Sequence, residues 1–371
     1  MRRPLRRNVV RSRRALRSVV QLTPAPWRWQ VGLEAGLALG LPLGLFTAIG
    51  QLGWGLQAAL GAFTALYGAS LSRRDRLHLL PLVAAGLVLA AALGVACSGN
   101  VWLTSACLVI VSAVACTLAL GVRLGPPGPM MFVLVAAVSS HLAMPKVLGG
   151  VGLPGLPLIG LVAVGSFLAY LVVILPLLWP SVRQRNGPPT GLRTLFPRLH
   201  LDADTVVLTV RIVVAVAVAS LVSRPLGAYR SYWVVLSAVA VLQSSPTRRL
   251  TAIRAVQRVG GTLIGIGVFE LMALAEPSGL GLVALLVLLQ AATEVVVARN
   301  YALALLFITP LALMNSTAGH VGSSLVPVEG RLLDTLLGAG IALAVFGVGE
   351  GLQHLYVKRL HSNRKASEVH L

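Results

Sequence analysis

YRSYWVVLSAVAVLQSSPTRRLTAIRAVQR, residues 229–258, contains an apolar run that opens at Tyr232 and Trp233, closes at Gln243 and gives way to Arg248, Arg249, Arg254 and Arg258. The same order occurs earlier, where Trp54 stands in an apolar run and Arg73, Arg74 and Arg76 follow. About a helix length before each tryptophan lies one charge inside an apolar span, Glu34 in the first copy and Arg211 in the second. Internal duplication in an apolar chain is the mark of many transporter folds, whose substrate path runs between the copies.

The rest of the chain has the same character. With 56% hydrophobic residues, 11% charged residues and a mean hydropathy of +0.85, it carries more apolar surface than a soluble core of 371 residues can hide. It reads as an all-α polytopic membrane protein. The formal charge of +20 sits in short arginine runs between apolar spans, without interleaved aromatics to stack bases. That argues against nucleic acid as a partner and for an orientation signal in contact with anionic lipids at the cytoplasmic face. Cys97, Cys107 and Cys116 all fall in apolar segments without CxxC spacing, and read as small buried hydrophobes. No GxxxxGK[ST], GxSxG or HExxH pattern is present, so the reading includes no enzyme, metal or cofactor. Transport without a nucleotide site is passive or driven by an ion gradient.

A bilayer core of about 30 Å needs about 20 apolar residues per helix. Windows of that kind lie at 31–50, 53–71, 79–97, 101–121, 129–145 and 157–179, then at 205–223, 229–245, 259–275, 279–297, 300–317 and 332–352. These predict about 12 transmembrane helices. With the N-terminus inside, 26 of the 31 lysines and arginines are cytoplasmic, Lys146, Arg224, Arg230 and Arg331 lie outside, and Arg211 lies within a span. This asymmetry predicts cytoplasmic termini and an even number of spans. The resulting division is a basic tail at 1–28, a first six-helix unit at 29–179, a polar cytoplasmic linker at 180–204 containing Gly187-Pro188-Pro189, a second six-helix unit at 205–352 and a C-terminal tail at 353–371. Because each unit has an even number of spans, the two repeats are parallel rather than inverted. Arg2 to Arg17 lacks a following apolar h-region and is taken as a retained cytoplasmic tail.

Tyr232-Trp233 running to Gln243, Pro246-Thr247-Arg248-Arg249, Arg254, Gln257-Arg258, and Gly261-Thr262 with Gly265 resemble the signature region of the fusaric acid resistance (FUSC) family of aromatic-acid exporter-like membrane proteins. Asn300-Tyr301-Ala302-Leu303-Ala304 to Thr309-Pro310 resembles the family's eleventh helix, and Arg331-Leu332-Leu333-Asp334-Thr335 with Gly338 its last. The first half matches more loosely, through Glu34-Ala35-Gly36, Trp54 to Tyr67, and Gly125-Pro126-Pro127-Gly128-Pro129. The resemblance implies a bacterial inner-membrane permease exporting small organic or aromatic acids, with a small organic acid anion as substrate and proton coupling. A more distant similarity, to plant malate channels, keeps an anion channel as the alternative. A non-transporting membrane scaffold is a third reading. Larger family members carry a cytoplasmic domain for which this chain has only a short linker and tail. The arginine-rich, lysine-poor composition fits a bacterial source, and an oligomer is compatible with every reading.

The substrate or ion pathway residues expected on these grounds are Arg211, Glu34, Glu270, Gln243, Asn300, Tyr301, Thr309 and Asp334. Arg211, about six residues into its span, either holds an anion or snorkels to the interface. Glu34, at matched depth in the first repeat, is expected to pair with Arg211 across the central axis, as a structural contact or a gate. Glu270 is the second candidate for proton coupling. Asp334 opens the twelfth span, with a dipole and a local Arg331 contact as its plain explanation. Gln243, Asn300, Tyr301 and Thr309 supply hydrogen bonds that either orient a ligand or join helices. Gly32, Gly36, Gly40 and Gly44 form a packing stripe facing away from Glu34, and Gly261 and Gly265 a shorter one. Pro42 and Pro310 either break or kink their spans, and Trp27, Trp29, Trp54 and Trp233 are expected as interfacial anchors.

Overall fold

The computed structural model describes residues 22–196, 198–226, 228–243, 247–318 and 328–368, all helix and connection with no strand among them. The basic run Arg2 to Arg17 and Pro246 lie outside the described residues. The principal helices are α1 (Trp29–Ala48), α2 (Leu52–Ala58, prolonged by a 3-10 segment Ala59–Leu66), α3 (Arg73–Ala96), α4 (Val101–Gly121), α5 (Met130–Ala143) and α6 (Gly155–Ile174), followed by α7 (Ala203–Val222), α8 (Ala228–Leu242), α9 (Arg248–Ala273), α10 (Gly279–Val296), α11 (Tyr301–Ala318) and α12 (Val328–Glu368). Nine of the described segments are long and apolar enough to cross a membrane, and Leu52–Leu66, Met130–Ala143 and Tyr232–Leu242 are shorter apolar helices. The twelve sequence windows thus correspond, among the described residues, to nine helices of spanning length and three shorter apolar helices.

Helix starts are fixed by side-chain caps. Asn100 Oδ1 accepts from the Trp102 and Leu103 amides at 2.8 and 3.3 Å, and Asp202 Oδ1 accepts from the Thr205 amide at 3.0 Å. Ser72 Oγ caps α3 through the Asp75 amide at 3.1 Å, and Thr247 Oγ1 caps α9 through the Leu250 amide at 3.5 Å. These last two caps begin α3 and α9 six and eleven residues before the windows expected at 79 and 259. A hydropathy window excludes arginine, whereas a capped helix accommodates it wherever a partner waits, so Arg73 to Arg76 and Arg248 to Arg258 are helical rather than loop residues. At the other end, α12 continues to Glu368, beyond the tail boundary at 352. Helices α1 and α11 run unbroken through Pro42 and Pro310.

Packing follows a pattern that recurs with a shift of six helices. In the first part α3 packs on α5 and α6, and α1 on α2 and α6; in the second, α9 packs on α11 and α12, and α7 on α8 and α12. The parts interlock through α1 against α10 and α4 against α7. Gly32, Gly36 and Gly40 make the first of these contacts possible: a Cβ on Gly32 would lie 2.8 Å from the Ala291 carbonyl oxygen, and one on Gly40 2.4 Å from Val287 Cγ2. Both cores consequently cross the parts, Leu39, Leu43 and Leu80 with Leu282, Leu286 and Leu313 in one, and Cys107, Leu108 and Val111 with Val216 and Ala219 in the other. Away from these cores Leu33, Leu37, Leu41 and Leu45 stand exposed along the outer face of α1. A helix apolar on its outer face as well as its core face suits lipid rather than water.

The linker is pinned rather than loose. The Arg73 amide donates to Asn186 Oδ1 at 2.9 Å, the Thr190 amide to Asp75 Oδ1 at 2.7 Å, and Arg74 Nη2 to the Arg183 carbonyl at 3.0 Å. Leu192 and Phe196 pack against the first core.

Candidate anion site

The two helix caps put α3 and α9 in a common register, and four residues past each lies Arg76 or Thr251. Arg76 is neutralised there. Its Nη1 donates to Glu34 Oε2 at 2.6 Å, Arg73 Nη2 lies 2.6 Å from Glu34 Oε1, Arg76 Nη2 donates to the Ala65 carbonyl at 2.6 Å and Arg73 Nη1 to the Val173 carbonyl at 2.8 Å. Both carboxylate oxygens of Glu34 are thereby engaged within the first part of the chain. The expected Glu34–Arg211 pair is accordingly corrected: α1 turns its charged face to α3, and the Arg211 guanidinium lies over the Phe346 ring of α12, 4.2 Å from its centroid. Arg211 is 9% exposed, so it is held inside the helix packing.

Eleven residues past the caps the relation inverts. That register holds Val83 on α3 and Arg258 on α9, each 4% exposed. Arg258 is the eleventh residue of α9, about 15 Å along the helix at 1.5 Å per residue. Its Nη1 donates to the Tyr301 hydroxyl at 2.6 Å and its Nη2 to Ser237 Oγ at 3.3 Å. Among the described residues it has these hydroxyl partners and no carboxylate partner. Hydroxyl dipoles orient a guanidinium without cancelling its charge, and an uncompensated buried ion costs several kcal/mol, of order. The site is therefore electrostatically suited to an anion, whose bidentate fit to an arginine fork is the strongest such contact.

Each partner is held by local structure. Tyr301 begins α11, where the preceding Asn300 caps the Leu303 amide at 3.0 Å. The Tyr301 ring also lies under the Arg254 guanidinium, 4.7 Å from centroid to Cζ, so one side chain receives one cation at its hydroxyl and another on its face. Ser237 sits where α12 comes closest to α8: a Cβ on Gly338 would be 2.5 Å from Ser237 Cβ and from the Val234 carbonyl oxygen. Gly261 and Gly265 let α11 approach α9 in the same way, 2.8 Å from the Ala302 and 2.7 Å from the Leu305 carbonyl oxygens. Next to them the buried hydroxyls of Thr262 and Thr309 have no hydrogen-bond partner among the described residues. Buried polar atoms left in that state call for an explanation.

Helix α12 extends this polar column. Asp334 is 1% exposed and Thr335 fully buried, one turn before Gly338, and Arg331 lies over the Trp233 ring at 3.5 Å. One expectation changes here: Asp334 is not in the first turn, because α12 starts at Val328. Trp233 packs between Arg331 and Tyr232. Trp27, Trp29 and Trp54 are exposed, as anchors are. Gln243 reaches across the parts, its Nε2 3.4 Å from Met130 Sδ. Glu270 is exposed, one turn from the end of α9, and does not join this cluster. Of the expected residues, Tyr301 meets Arg258, Asn300 caps the helix that Tyr301 begins, Thr309 lies against Gly265 of α9, and Asp334 lies on α12 one turn before the Gly338–Ser237 contact, whereas Glu34, Arg211, Gln243 and Glu270 lie apart. Sequence reading missed Arg258 and Ser237. The signal for Arg258 was the capping threonine at 247, which makes it the eleventh residue after a cap and not the last of a loop cluster.

The fusaric acid resistance protein-like family model matches residues 213–345, which hold Ser237, Arg254, Arg258, Tyr301, Thr309 and Asp334. This segment is similar to the fusaric acid resistance protein-like family. Arg211 and Glu34 lie outside the family segment. The uncharacterized membrane protein YvaC of Bacillus subtilis (strain 168) is 34% identical over 151 residues, 38% of this chain and 24% of that protein. An uncharacterized protein, ORF2, of Neisseria gonorrhoeae is 31% identical over 151 residues, 40% of this chain and 35% of that protein. The matches thus span between a quarter and about a third of these curated relatives. No solved structure matches the chain. With the family segment, the membrane-protein relative and the apolar helices together, the chain is a multi-pass membrane protein.

Proposed function

We propose that the chain is a bacterial inner-membrane permease that exports a small organic or aromatic acid, with Arg258 as the residue that receives the acid's carboxylate. The observation that carries this reading is the buried guanidinium of Arg258, held by Tyr301 and Ser237 without an acidic partner among the described residues. A deep cation of this kind is costly to keep in a membrane and marks an ion or substrate path. Tyr301 and Ser237 position the fork, Arg254 adds positive potential, and Thr262 and Thr309 offer hydroxyls to the remaining polar atoms of the ligand. The family segment supports the same reading, since its description refers to resistance to an aromatic acid.

The architecture proposed for this function is two parallel six-helix repeats with both termini cytoplasmic. Its support is the packing pattern that repeats with a six-helix shift, together with the excess of arginines on one side. Proton coupling belongs to the proposal and falls to Asp334, the buried carboxylate of the α12 column, in place of the exposed Glu270. The test is efflux of a panel of aromatic and aliphatic acids from proteoliposomes, with and without an imposed pH gradient. Saturable, gradient-dependent efflux supports the permease. Ohmic anion current would make the protein a channel, and movement of no acid under either condition would overturn transport.

A further inference from the structure

At the start of α3 and the end of α6 an open groove of about 390 Å³ lies between two arginines and a wall of leucines. That volume falls within the range of about 300–1,000 Å³ of small-molecule sites. We propose that this groove binds an anionic phospholipid, its phosphate between Arg74 and Arg183 and an acyl chain along Leu171, Ile174, Leu175 and Leu178.

Three observations carry the assignment. The wall is apolar and exposed: Leu175 is 46% exposed, Leu178 77% and the adjoining Trp179 62%, a surface that water would not favour and an indole suited to a membrane interface. The rim is cationic, with Arg74 and Arg183 lining the groove and no acidic residue among its lining. The nearest carboxylate in the sequence, Asp75, is engaged by the Thr190 amide at 2.7 Å and the Ser72 hydroxyl at 2.7 Å. Finally, the two arginines are held together. Arg74 Nη2 donates to the Arg183 carbonyl at 3.0 Å, while the Arg73 amide and Asn186 Oδ1 fasten the same turn of the linker at 2.9 Å. One nitrogen of Arg74 fixes the linker, and the rest of the fork remains to meet a phosphate. A free anion would gain nothing from the leucines, and a zwitterionic lipid, whose choline offsets its phosphate, less from the arginines than an anionic one. A phospholipid that binds there would clasp the linker to α3 and α6, because its phosphate would touch a residue from each side of the Arg74–Arg183 contact.

The full chain, purified in detergent, is titrated with phosphatidylglycerol or phosphatidylcholine, and retained lipid is counted by native mass spectrometry, which also reads the oligomeric mass. Wild type is expected to prefer phosphatidylglycerol by roughly tenfold or more, from two cations each worth a few-fold near an anionic headgroup. R74Q/R183Q should lose that preference, R74K/R183K should keep most of it, and R193Q, outside the groove, should leave it unchanged. L178S, with the charges intact, should weaken retention of phosphatidylglycerol by several-fold. Equal retention of the two lipids by wild type, or unchanged preference in R74Q/R183Q, would overturn the proposal. So would glycerol phosphate competing as well as the lipid, since the site would then be one for a free anion, or a dimeric mass that excludes lipid. Lipid counting does not require transport, so failure here is distinct from failure of the permease reading.

Discussion

Arg258 on α9 donates to the hydroxyl of Tyr301 on α11 at 2.6 Å, in a bundle where Arg258 is 4% exposed. A guanidinium buried that far within the helix packing requires either a counter-charge or a ligand, and its structural partners here are hydroxyls. The Tyr301 hydroxyl and the Arg258 fork therefore form the centre of the proposed anion site.

Removing only the Tyr301 hydroxyl isolates that contact. A hydrogen bond to a charged group is worth about 1.5–3 kcal/mol, so Tyr301→Phe should lower efflux by roughly tenfold or more while the ring keeps its place under Arg254. Efflux kinetics measured alongside helical circular dichroism test this: the variant should fold as wild type and transport poorly.

Glu34 serves stability instead. Substituting Glu34→Gln leaves the buried Arg76 and the half-buried Arg73 without their carboxylate, which should cost about 3–5 kcal/mol, read as a lower unfolding midpoint in detergent. A double-mutant cycle of E34Q with R76Q should show a coupling of about 0.5–3 kcal/mol, whereas E34Q with R211Q should add within about 0.5 kcal/mol.

Gly338 is the contact point that sets Ser237. An added Cβ would press on the Val234 carbonyl at 2.5 Å, so Gly338→Ala should destabilise the protein by about 1–3 kcal/mol and reduce efflux with it. Gly340, two residues on, has nothing within 4 Å of the same added atom. Gly340→Ala should be neutral in both thermal unfolding and efflux.

Asp334 and Glu270 differ in exposure, the first buried and the second exposed. Asp334→Asn should flatten the dependence of efflux on the pH gradient, whereas Glu270→Gln, at an exposed position near the end of α9, should leave it as in wild type. Initial rates across a series of imposed gradients distinguish them.

Much of this arrangement was legible in the chain. Apolar run length located the helices, glycine spacing every four residues located the α1 face that packs on α10, and the residues around Tyr232 to Arg258 marked the family segment. What escaped was any property that depends on who meets whom. Hydropathy assigns an arginine to a loop because it weighs the residue alone, so Arg258 was counted with a surface cluster although the Thr247 cap places it inside a helix. Matched depth in the two repeats suggested that Glu34 faces Arg211, but register along a helix does not fix which neighbour its charged face turns to. Close partners decided it: α1 turns Glu34 to the first turns of α3, and the interface of α1 with the second part is the glycine stripe.

The most direct measurement is efflux of an aromatic acid from proteoliposomes containing wild type, R258Q or R258K at matched protein density. R258Q is expected to lose at least about 99% of wild-type efflux, as removal of about 3 kcal/mol of charged contact implies, while folding as wild type by circular dichroism. R258K, which keeps the charge but not the fork, should retain a minor fraction. Wild-type efflux from R258Q would contradict the anion site.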